Sequence, residues 1–258
     1  MQDFTARPDI ADDCFLLASR CIRYCPDLFV TSSIFPSLID CSMVGITVQH
    51  RYHVHAHLLV DFFTNLPFNL FFLFFRDACK SLLNFLSDVF DLANSSAGER
   101  YQSIINGTII PRGATLTRIL IASLTGALPS SRLEEVYIAP HDSFGMKICN
   151  SNFAKYAILR CMLLPQVTYV LLSLSRTYGV RVLVWAKESI SLIPHTVLTE
   201  AESSIFLKAL SDAASGSESS ALTETLEELS DVCRRSRAVQ DVVQGALRPL
   251  DLKFTAVS

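Results

Sequence analysis

A rhythm constrains this chain more than any single motif. Short segments with the spacing of an amphipathic helix recur along nearly all of it, and proline or glycine closes them one after another. The clearest runs from Ala238 to Leu247, where Val239, Val242, Val243, Ala246 and Leu247 fall at i, i+3, i+4, i+7 and i+8 and line one helical face before Arg248 and Pro249. Segments this short bury their apolar faces only against one another. The expectation is an all-α chain built by stacking, with function carried by a surface rather than a pocket.

The first helix is expected from Asp12 or Asp13, whose carboxylates suit an N-cap, to Cys25 before Pro26. A second is expected from Pro36 to His50, and a third from Asp77 to Ala93, with Cys79, Leu82, Leu83, Leu86, Val89 and Phe90 as its apolar stripe. Asn94 to Gly98 reads as a flexible end and Ile109 to Gly113 as a turn. Further stripes follow over Leu116 to Ala127, Val167 to Tyr178 and Val182 to Ile193. Thr199 with Glu202 has the spacing of a capping box, opening a helix that buries Phe206, Leu210 and Ala213. Leu222, Leu226, Leu229 and Cys233 mark the penultimate helix. The total is about nine or ten helices without a convincing strand, paired at intervals of roughly 40 residues, which is the period of HEAT and armadillo repeats. A compact irregular helical domain is the alternative that pattern leaves open.

Composition adds little that is specific. A formal charge of −3 over 258 residues gives no global attraction to nucleic acid or anionic membrane. The eight cysteines come without a basic and apolar leader in Met-Gln-Asp-Phe-Thr, so they read as reduced thiols of an intracellular protein. Cys14, Cys21 and Cys25 at i, i+7 and i+11 read as small hydrophobes on one helical face.

Residues that could carry chemistry are sparse. His53, His55 and His57, with His50 nearby, alternate as a metal site might require, but lack an acidic or cysteine partner, so no metal and no cofactor is expected. Leu58 to Phe75 is apolar and Phe-rich; Asp61, Asn65, Pro67 and Asn69 make it a costly membrane span, so a membrane-associated protein anchored there stands only as an alternative. Arg234, Arg235 and Arg237 form a basic cluster behind an acidic stretch of Glu218, Glu224, Glu227, Glu228 and Asp231, which could attract arginine-rich partners or simply be solvated. No Ser-His-Asp set, phosphate loop or carboxylate pair emerges, and no enzyme is expected.

Four stretches carry a family resemblance: Pro8 to Leu17, Ile109 to Ala114, Trp185 to Ser189 and Glu228 to Arg235. Together they resemble the C-terminal end of transportin-SR, an importin-β-type nuclear import receptor, in its plant form, over about four fifths of the chain. Two stretches do not match. Removing 52–75 brings His50-Arg51 near Asp77-Ala78, and removing 137–167 joins Val136 to Thr168; each deletion restores a helix, so both are expected to be inserts of translated intron sequence. A mis-spliced product without function is the corresponding alternative.

The resemblance implies a C-terminal HEAT-repeat array across 1–258, part of a karyopherin that carries Arg/Ser-rich splicing factors into the nucleus and shuttles between cytoplasm and nucleus. It implies Ran GTPase and nucleoporins as partners of the full-length receptor, and no direct contact with nucleic acid or membrane. It assigns no cargo-contact residue to a numbered position.

Overall fold

The computed structural model describes residues 8–47, 77–127, 152–216 and 219–247. Eleven α-helices and two single 3-10 turns fill these residues, and none of the described residues is in a strand. They are α1 (Pro8–Tyr24), α2 (Pro26–Val30), α3 (Ile34–Thr47), α4 (Asp77–Asn94), a 3-10 turn (Ser96–Arg100), α5 (Gln102–Ile109), a second 3-10 turn (Ile110–Arg112), α6 (Gly113–Leu124), α7 (Asn152–Tyr178), α8 (Val180–Ile190), α9 (Glu200–Ala214), α10 (Ser219–Arg234) and α11 (Arg237–Leu247).

The packing order explains why such short helices persist. α4 lies between α1 and α7, while α6 lies between α3 and α8, so two rows of helices run side by side. Contacts of α3 with α4, of α6 with α7 and of α7 with α8 join the rows, and α9, α10 and α11 continue the stack. The buried apolar residues form one continuous cluster from Phe15 to Leu247. This is an all-α solenoid of the HEAT/armadillo type, in which each pair buries its stripe against the pairs before and after it.

Polar contacts tie successive repeats together. Arg23 on α1 donates to Asp88 on α4 at 2.8 Å. Tyr169 and Ser173 on α7 donate to Asp91 on α4, and Thr177 donates to Asn94. Arg112 grips Asp40 of α3 through two nitrogens, at 2.5 and 2.8 Å. Aromatic rings add directionality: Phe85 meets Phe15 edge-on at 5.3 Å and Phe29 at 6.5 Å, while Tyr178 bridges Phe90 and Trp185.

Several expectations change in detail. The Cys14, Cys21 and Cys25 face is not the buried one: Ala11, Phe15, Ala18 and Ile22 face the core, Cys14 is exposed and the other two are half-buried. Proline punctuates the chain much as expected, with α1 ending at Tyr24 before Pro26. Pro26 opens the single turn α2, Pro36 sits in the first turn of α3, and Pro111 lies in a 3-10 turn that passes directly into α6, positions where a missing N–H costs little. Residues 125–127 follow the end of α6, and Gly126 there has φ of 75°, a left-handed conformation that favours glycine.

α7 starts well before Val167 and runs through the exposed Pro165 and across the expected boundary at 167/168 without interruption, with Leu164 and Val167 buried alongside Val170, Leu171 and Leu174. Residues 52–75, and with them Leu58 to Phe75 and His53, His55 and His57, lie outside the described residues, as do His50 and 137–151.

Candidate protein-binding surface

The surface on α9 to α11 is built by a division of labour along the helices. Thr199 caps α9 as expected: its backbone N–H donates to Glu202 Oε2 at 2.7 Å, and the Glu202 N–H donates back to Thr199 Oγ1 at 3.3 Å. The Thr199 hydroxyl also donates to Glu202 Oε2 at 2.7 Å, and this bond first, then that from the Thr199 backbone N–H, holds the Glu202 carboxyl below its ordinary pKa. Phe206, Leu210 and Ala213 are buried behind it, and Leu222, Leu226, Leu229 and Cys233 make the buried stripe of α10.

Turned the other way, Glu224, Glu228 and Asp231 fall at i, i+4 and i+7 on α10 and are all exposed, whereas Glu227 is half-buried. Glu218 lies outside the described residues. The acidic stretch therefore becomes a ridge of carboxylates along one helix.

The basic cluster does not form a matching patch. Arg234 turns inward and donates to the carbonyls of Leu124 at 2.8 Å and Ser123 at 3.1 Å, beside Ser230, which donates to Leu124 at 2.9 Å. These groups satisfy carbonyls that the end of α6 leaves without helical partners. Arg235 donates to the carbonyl of Thr196 while remaining exposed, and Arg237 is exposed at the start of α11. Arg118 on α6 reciprocates by reaching the carbonyls of Ala246 and Leu247 at the end of α11. Arg234 and Arg118 thus fasten the last helices to α6, which residue spacing alone could not reveal.

Other candidate groups stay apart. His195 is exposed in the turn before α9, and among the described residues no three His, Cys, Asp or Glu side chains come together to hold a metal ion. Burial pushes the Cys79 and Cys233 thiols up to about 12, which leaves them protonated and unreactive at neutral pH. Among the described residues no helix is long and apolar enough to cross a membrane.

The class defined by this architecture is a helical-repeat array. No family model matches the chain. It is 50% identical over 254 residues, 98% of its length, to Transportin MOS14 of Arabidopsis thaliana, of which it spans 21%. The chain therefore spans about a fifth of that relative's length.

Proposed function

We propose that this chain is a segment of an importin-β-type nuclear import receptor whose cargoes are splicing factors with Arg/Ser-rich domains. It supplies binding surface and makes or breaks no covalent bond. The observation that carries this reading is the 50% identity to a transportin across 98% of the chain. The exposed ridge of Glu224, Glu228 and Asp231 supports the cargo class, because carboxylates spaced along a helix suit an extended arginine-rich peptide through charge-assisted pairs. Release by GTP-bound Ran, contact with nucleoporins and shuttling between cytoplasm and nucleus belong to the whole receptor in this proposal.

The test is binding of the purified chain to a fluorescent Arg/Ser-repeat peptide, followed by anisotropy. Exposed ion pairs contribute about 0.2 to 1 kcal/mol each, so Glu224→Lys with Glu228→Lys is expected to weaken binding about tenfold, and salt at about 0.5 M to do the same. Absence of binding to the peptide by the unmodified, folded chain would overturn the cargo assignment.

A further inference from the structure

The end of α1 brings two thiols together. Cys21 and Cys25 stand one helical turn apart, and the Cys25 N–H donates to the Cys21 carbonyl at 2.9 Å. Side chains four residues apart share one helical face, with about 5 to 6 Å between their Cβ atoms. Here the two thiols are also hydrogen-bonded to each other. Cys14 lies on the same line but is about 10 Å of helical rise from Cys21, out of range of a bond between the sulfurs. Burial first, and then the bond to Cys25, raise the pKa of Cys21. Cys21 therefore keeps its proton, and Cys25 is the accepting sulfur.

Cys25 is also where the backbone can yield. It lies between α1 and α2 with φ of −142° and ψ of 53°, outside the helical region, and Pro26 follows it at the start of α2. A disulfide holds its Cβ atoms about 3.5 to 4.5 Å apart, so closure asks for about 1 to 2 Å of movement, which this joint absorbs without opening the body of α1. We infer that Cys21 and Cys25 are a modification site that closes to a reversible intramolecular disulfide, with a peroxide as oxidant and a dithiol as reductant. Cys25, as thiolate, attacks one peroxide oxygen; the O–O bond breaks, the other oxygen leaves as water, and Cys25 becomes a sulfenic acid. The Cys21 sulfur then displaces the sulfenic oxygen, which takes the Cys21 proton and leaves as a second water. One S–S bond forms, and the two electrons lost by the sulfurs reduce the peroxide. The movement reaches α2, a single turn anchored by buried Val30, by Phe29 edge-on to Phe35 and Phe85, and by Asp27, which accepts from Tyr101 and Arg100. Drawing Cys25 toward Cys21 loosens that anchorage.

The inference is independent of the receptor reading and of any cargo. The experiment treats the full chain with hydrogen peroxide, alkylates the remaining thiols and maps the links by peptide mass spectrometry. Cleavage after Arg20 and Arg23 and before Asp27 puts the two cysteines in separate peptides, 21–23 and 24–26. The expected result is a link between those peptides that holds at least about tenfold more Cys21 than any other pairing, and that dithiothreitol removes. Amide exchange over α2 should quicken at least about tenfold in the oxidised chain and recover on reduction. Cys25→Ser should abolish both effects, and Cys14→Ser should change neither. No such link at peroxide doses that oxidise Cys14, a preferred link of Cys21 or Cys25 to another cysteine, or a link that resists dithiothreitol would overturn the site. A link with unchanged exchange over α2 would overturn its effect on that helix. Failure of Arg/Ser peptide binding would leave these results untouched, so the two proposals fail separately.

Discussion

Removing the Asp40–Arg112 pair tests whether adjacent repeats are clamped by partly buried charge. The guanidinium donates to both oxygens of Asp40, at 2.5 and 2.8 Å, and to the Thr108 carbonyl at 2.9 Å, while each charged side chain keeps 26% of its exposure. Two unit charges about 4 Å apart at an effective dielectric near 20 attract by about 4 kcal/mol, which is a ceiling. Desolvation of both groups returns much of that, and the bidentate geometry restores part, so the expected coupling is about 1 to 2 kcal/mol. Asp40→Ala alone should cost about 2 kcal/mol, because it leaves Arg112 half-buried with one carbonyl for company. The assay is a double-mutant cycle with Asp40→Ala and Arg112→Ala in urea unfolding, read by circular dichroism and by Trp185, the only tryptophan in the chain. A coupling below about 0.3 kcal/mol, or one that vanishes in 1 M salt, would show the pair to be an ordinary solvated contact and refute the clamp.

Three other perturbations have defined outcomes. A Cβ at Gly113 would lie 2.1 Å from the Trp185 ring, so Gly113→Ala should displace the indole, destabilise the chain by about 1 to 3 kcal/mol and shift Trp185 emission; unchanged emission would contradict the contact. Thr199→Ala should lower stability by about 1 kcal/mol through loss of the capping box, with Thr199→Asp recovering most of it; equal losses in both would contradict the capping role. Burial pushes Cys233 from 9.0 and Tyr178 from 10.0 up to about 12, so both stay neutral in the folded chain while their unfolded counterparts ionise. Their contribution to stability is therefore complete below pH 9 and is lost as pH rises toward 12, at up to about 1.4 kcal/mol per pH unit for each group. Urea unfolding across that window should show the decline, and Cys233→Ala with Tyr178→Phe should flatten it; a steady stability up to pH 11 would contradict the burial of both groups.

The helices were legible because their stripes and caps are local signals. Thr199 with Glu202 is a capping box in sequence and in space, and Leu222, Leu226, Leu229 and Cys233 all face the core of the array. What escaped the sequence is which of two apolar faces a helix buries. On α1 the cysteine line and the Phe15 line have similar periodicity, and only the position of α4 decides between them. Val242 shows the same limit at the other end: the spacing puts it on the apolar face of α11, yet it is 46% exposed while Val243 and Leu247 are buried. The basic cluster misled for a different reason, since an arginine that caps a distant carbonyl looks the same in sequence as one that faces solvent. Proline was legible because its cost depends on its place in the helical turn: α1 ends before Pro26, Pro36 stands in the first turn of α3, and Pro111 lies in a 3-10 turn.

The central claim is that stability passes from neighbour to neighbour along a stack rather than through a single indivisible core. Phe85 is fully buried on α4 against Phe15 and Phe29, and Phe85→Ala should cost about 3 to 5 kcal/mol there. Native-state hydrogen exchange of this variant is the most direct measurement. The account predicts that α1 to α4 lose protection while α9 to α11 keep theirs; an equal loss of protection in every helix would contradict it.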